Sequence, residues 1–95
     1  MATRPIHPGE ILRDALDERG LSANALAGAI KVPANRVTAI LKGTRSISAD
    51  TALRLARFFG TTPEVWLNLQ LMYDLEVAER AAGKSIKRTV KPLAA

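Results

Sequence analysis

The glycines at 20, 43, 60 and 83 each stand just after a run with helical apolar spacing. A helix ends most easily there, because glycine takes the left-handed conformation without steric cost. The starts match the stops. Pro8 leads EILRDALDER, Ser22 leads ANALAGAI, Ser48 leads ADTALRLARFF, and Thr62 with Pro63 leads EVWLNLQ, all residue types suited to N-caps or first helical turns. Pro33 opens the segment between the second and third of these. The spacing predicts five helices, at about 8–19, 22–30, 33–42, 48–59 and 62–82, with no alternating strand pattern. The expected fold is all-α, with one domain over 1–83 and a basic, flexible tail over 84–95.

A chain of 95 residues buries only a small core, so a large catalytic cleft is not expected and a binding role comes first. Aromatic residues are only 4% of the chain against 47% hydrophobic residues overall, which leaves the packing to Leu, Ile, Val and Ala. The net charge of +5 favours an acidic partner, with nucleic acid ahead of an anionic membrane or an acidic protein. With no cysteine there is neither a disulfide nor a thiolate zinc site. The start MATRPIHPGE has no apolar leader, and no apolar run approaches the roughly 18 residues that span a bilayer. A cytoplasmic protein with no membrane association is expected. His7 is the single histidine, and neither an H-E-x-x-H pattern nor a glycine-rich phosphate loop is present. No enzymatic activity, metal or cofactor is expected, and His7 belongs at a helix start or in solvent.

Two helices, LSANALAGAI and KVPANRVTAILKG, are joined by a tight turn with the lengths and apolar spacing of a helix-turn-helix unit. Leu26, Ala27 and Ile30 would pack on Val32, Val37, Ile40 and Leu41. At 100° per residue the opposite face of the second helix carries Asn35, Thr38, Ala39 and Lys42, flanked by Ala34 and Arg36. Such a face suits the major groove, where close approach needs small side chains, amides and guanidinium groups pair with base edges, and methyl groups meet thymine. Ala34, Asn35, Arg36, Thr38 and Ala39 are therefore the expected base readers. Lys42, Thr44 and Arg45 follow as phosphate contacts that fix register. Ser22 adds another, because the helix that it caps presents free amides and a positive dipole end. From Gly20 to Ala49 there is no acidic residue, while Lys31, Arg36, Lys42 and Arg45 all fall within that span.

The fifth helix carries Val65, Trp66, Leu67, Leu69, Leu71, Met72, Tyr73 and Leu75 in nearly every direction around its axis. A helix that is apolar all round must be covered all round. One side can lie on the other helices, and a second copy would cover the opposite side. A homodimer is expected, with Leu71, Met72 and Leu75 near the contact. On the first helix Ile11, Leu12, Ala15 and Leu16 mark the core side, while Glu10, Asp14, Asp17 and Glu18 form an acidic face. That face is either solvated surface or a site for a basic protein.

IHPGEIL at 6–12, VPANRV at 32–37, LKGTRSISADTALRLARFFGTTPEVWLNLQ at 41–70 and YDLE at 73–76 together resemble the HigA antitoxins of the XRE/Cro helix-turn-helix class. The resemblance covers about residues 6–79. It implies a five-helix, lambda-repressor-like domain with a C-terminal dimerisation helix. It also implies an antitoxin that binds a palindromic double-stranded operator, represses its own operon and neutralises a HigB toxin, a basic ribosome-dependent mRNA endonuclease of the RelE type. On this view the recognition helix is Ala34 to Lys42, and Glu10, Asp14 and Asp17 are candidates for the toxin contact. Two positions depart from the pattern. Ala23 stands where many relatives have a phosphate-binding Gln, and Lys31 stands where the turn commonly has Gly, at a cost of about 1 kcal/mol if it is left-handed. Two other readings remain open on the residues alone: a stand-alone or phage-type repressor without a toxin, and a purely protein-binding inhibitor.

Overall fold

The computed structural model describes residues 4–94. Five helices follow one another: α1 (Pro8–Arg19), α2 (Ala23–Ile30), α3 (Ala34–Leu41), α4 (Ala49–Phe59) and α5 (Pro63–Thr89). Among the described residues there is no strand. The caps are those that the sequence provides. The side chains of Ser22, Ser48 and Thr62 accept from the backbone N–H groups of Ala25, Thr51 and Val65, and Gly20 and Gly60 end α1 and α4 in the left-handed conformation. His7 caps α1, its Nδ1 accepting from the Gly9 N–H at 2.9 Å. Its ring is buried edge-on against Tyr73, 4.9 Å between centroids, so of the two roles expected for it the helix start is the one observed.

The core is a single cluster: Leu12 and Leu16 of α1, Leu26, Ala27 and Ile30 of α2, Val37 and Ile40 of α3, Ile47, then Ala52, Leu55 and Ala56 of α4 and Trp66 of α5. Ile11, expected on the core side of α1, is instead 39% exposed. It lies one residue before Leu12, and the narrow strip that α1 buries runs through Leu12 and Leu16 at i, i+4 spacing, turning Ile11 to the rim. Two polar anchors join α5 to the rest. The Trp66 Nε1 donates to Thr61 Oγ1 at 3.0 Å. The buried Gln70 accepts from the Ile47 N–H at 2.8 Å while its amide donates to Asp74 at 2.9 Å. An α5 side chain thereby satisfies a buried donor in the loop between α3 and α4, which would otherwise carry a desolvation penalty.

The expected helix end at Gly83 is corrected: α5 continues through it to Thr89, so the segment that departs from helix begins at Val90, not at residue 84. Gly83 has a negative φ, unlike Gly20, Gly43 and Gly60. A glycine inside a helix costs only about 1 kcal/mol, and Ala81, Ala82 and Lys84 around it are strong helix formers. The stop signal is further on, where Pro92 follows the Val90 cap by two residues. Lys87 and Arg88 in the last turn complement the negative end of the helix dipole.

Of the glycines, Gly9 makes the closest approach to another element. Its Cα faces the Ile40 carbonyl of α3 so closely that a Cβ would overlap that oxygen and its carbon. Both are backbone atoms, so neither can rotate away. A Gly9→Ala chain is expected to lose about 1–3 kcal/mol of stability through displacement of α1 from α3, measured as a lower urea midpoint; an unchanged midpoint would show that the two helices separate freely.

Candidate nucleic-acid interface

Helix α3 is only eight residues long, and its orientation is fixed from three sides. Val37 and Ile40 face inward at 2% and 1% exposure. Behind α3, the small side chain of Ala27 is buried in the core where α2 packs. The turn between the two helices places Lys31 at φ 62° and ψ 48°, the left-handed region in which a side chain costs about 1 kcal/mol or more. Arg54 of α4 offsets this cost: its Nη1 donates to the Ile30 carbonyl at 2.9 Å and to the Lys31 carbonyl at 3.3 Å, occupying acceptors that the end of α2 leaves open.

The outward side of α3 carries Ala34 and Asn35, both exposed, with Thr38 and Ala39 half-buried beside them. Thr38 Oγ1 donates to the Asn35 carbonyl at 3.3 Å, while the Asn35 amide has no hydrogen-bond partner among the described residues. Lys42, Thr44 and Arg45 follow in an exposed turn, and Ser22 is exposed at the start of α2. Ser22 Oγ accepts from the Ala25 N–H at 3.0 Å, which leaves its hydroxyl proton available to an external acceptor. Thr44 differs from the expectation for a phosphate contact. Both of its donors, the N–H at 3.0 Å and Oγ1 at 3.1 Å, are directed to the Ala39 carbonyl. It closes the end of α3 and shapes the turn, leaving Lys42 and Arg45 as the free cations there.

Arg36 also differs from a freely projecting base reader. It lies on the flank of α3 nearest α4, and its side chain is 25% exposed. Its Nη1 donates to Asp50 Oδ2 at 2.8 Å, and the same oxygen accepts from Arg54 Nε at 2.9 Å. Hydrogen bonding from Arg54, and next from Arg36, holds the Asp50 carboxyl below the usual carboxylate range against the opposing effect of desolvation. The sequence reading missed Asp50, Arg54 and Gln70. A signal for Asp50 existed, since it is the one acidic residue between Glu18 and Glu64 and stands four residues before Arg54. Nothing in the sequence pairs Gln70 with Ile47.

The other expected sites lie elsewhere. Asp14 and Asp17 are exposed on α1, whereas Glu10 forms a two-pronged pair with Arg4, each contact 2.6 Å. That pair holds the Glu10 carboxyl below its ordinary range. Leu71, Met72 and Leu75 are 54%, 68% and 59% exposed on the side of α5 opposite Trp66 and Tyr73.

This arrangement of helices is that of known DNA-associated proteins. The helix-turn-helix family HTH_3 matches residues 12–67. A HigA-family addiction module antidote protein from Coxiella burnetii is 60% identical, with a TM-score of 0.93 over 96% of this chain and 100% of that one. The chain belongs to the HigA-type antitoxins. The Pseudomonas aeruginosa antitoxin HigA, solved with the higBA promoter, is 51% identical with a TM-score of 0.92, over 96% of this chain and 100% of its own. Antitoxin HigA-1 of Vibrio cholerae is 40% identical over 91 residues, 95% of this chain and 85% of the relative. The five-helix, lambda-repressor-like architecture expected from the sequence is thus the one observed in this HigA-type chain. None of its described helices is long and apolar enough to cross a membrane.

Proposed function

We propose that the chain is a sequence-specific DNA-binding antitoxin that represses its own operon as a homodimer and neutralises a HigB-type toxin. The observation that carries the DNA part is the outward face of α3: Asn35, Thr38 and Ala39 project from a helix whose other side is locked into the core. Cations and an exposed cap hydroxyl flank this face, and the sole carboxylate beside it is already paired with arginine. The likeness to an antitoxin solved with its promoter supports the same reading. Asn35 suits the N6 and N7 edge of adenine, and Ala34, Thr38 and Ala39 suit close approach and thymine methyl groups. Arg36 reads from the edge of this face. Lys42, Arg45 and Ser22 contact phosphates and set register, with Thr44 holding the turn that presents them.

The dimer brings a second α3 to the next major groove, roughly 34 Å away, so the operator is a palindrome. Leu71, Met72 and Leu75 form its contact, and Ala78, Ala82 and Ile86 continue the same stripe at helical spacing along α5. This stripe is directed away from the core, and at this length its exposure to water is unfavourable. The toxin contact falls on the acidic face of α1, at Asp14 and Asp17 with Glu10 at its edge, by charge complementarity to a basic protein. No enzymatic step is assigned to the chain.

Three measurements test these roles. Asn35→Ala is expected to weaken operator binding about 5- to 100-fold in a gel shift, with little change on unrelated DNA; an unaltered operator affinity removes Asn35 from the readout. Leu75→Glu should give a monomer by light scattering at micromolar concentration and lower operator affinity about 100-fold or more through lost avidity, whereas a dimer of wild-type mass would place the interface elsewhere. Reversing Asp14 and Asp17 to Lys should abolish co-purification with the toxin while the operator is still bound, and undiminished co-purification rules out that face.

A further inference from the structure

The Arg36–Asp50–Arg54 chain joins α3 to the helix behind it. Asp50 is exposed and sits in the first turn of α4. Its geometry has a specific effect on Arg36. A flexible arginine at the rim of a polyanion interface would swing to the nearest phosphate, which contributes affinity without information. Here Oδ2 of Asp50 holds one terminal nitrogen at 2.8 Å and is itself held by Arg54 Nε at 2.9 Å. Arg54 is anchored in turn on the carbonyls of Ile30 and Lys31. The carboxylate therefore stands in a fixed place, and the guanidinium bound to it through Nη1 is held there while part of its surface stays exposed.

We infer that Asp50 is a positioning residue for DNA readout: it holds the Arg36 guanidinium oriented towards a base edge and, by its negative charge, prevents Arg36 from serving as an indiscriminate phosphate clamp. The inference rests on the proposal that α3 reads DNA. It differs from a purely structural role in the sign of its effects. Loss of the carboxylate should lower affinity for the operator while raising affinity for unrelated sequence, since Arg36 is released and one anionic charge leaves the interface.

The test is a mutant cycle on the full chain with Asp50→Asn, Arg36→Ala and the double variant, measuring affinity for operator and for a scrambled duplex of equal length by fluorescence anisotropy. Asp50→Asn is expected to reduce the operator-to-scrambled ratio about tenfold, within the range over which one oriented arginine discriminates bases. Scrambled-DNA affinity should rise a few-fold. In the Arg36→Ala background the same change should leave the ratio unaltered, because the two residues act as one unit. Asp50→Glu, which keeps the charge at the start of α4 but shifts the carboxylate, should fall between Asn and wild type, and it serves in the cycle if Asp50→Asn melts early. An unchanged ratio in the single variant, an equal fall in both backgrounds, or a parallel loss on both duplexes overturns the inference. Failure of the wild-type chain to prefer the operator would instead overturn the DNA-reading proposal itself.

Discussion

An eight-residue helix has no stability of its own in water, and α3 is such a helix. Its existence depends on burial of Val37 and Ile40 against the surrounding helices. The rest of the architecture can be understood as the means of holding that short helix in place while leaving its far side open. Helix α1 meets it at Gly9, α2 at Ala27, and α4 through the arginine–aspartate chain, while α5 holds the loop that follows it through Gln70. Each connection uses a different physical means: absence of a side chain, a small side chain, an ion pair and a buried amide. With a core this small, none of the connections is backed by a large surplus of apolar contact.

Several of the polar connections gather around α3. Arg54 occupies the open carbonyls beside the left-handed Lys31, so a turn residue with an intrinsic conformational cost is stabilised from another helix. The same Arg54 steadies Asp50, which holds Arg36. Turn geometry and side-chain orientation at the edge of the outward face of α3 are thus parts of one network, and the left-handed Lys31 is accommodated within it. Thr44 similarly gives up both donors to end α3 cleanly, and the cations on either side of it are presented by the turn that it fixes.

Much of this was legible in the residues. The ends of α1 to α4, the caps Ser22, Ser48 and Thr62, the buried stripe of Val37 and Ile40 and the polar face around Asn35 all follow from local rules of capping and periodicity. Two expectations failed for local reasons that residue type alone does not show: the strip that α1 buries is too narrow to include Ile11, and α5 runs through Gly83 to a stop near Pro92. Residue type and helical angle likewise do not display that Arg36 is held by the carboxylate of Asp50 or that Thr44 directs its donors to the carbonyl of Ala39.

The sequence by itself determined that five helices form, which sides of most of them are apolar, and that α3 pairs a greasy face with a small, polar, acid-free one. These are properties of local conformational preference and spacing, and they need no partner to be expressed. Only the tertiary structure decided which outward residues are free and which are held. Hydrogen bonding between Arg36 and Asp50, Gln70 and Ile47, or Arg54 and the end of α2 spans from 14 to 24 positions along the chain. Such pairings arise from the packing angles of helices, which residue order does not display.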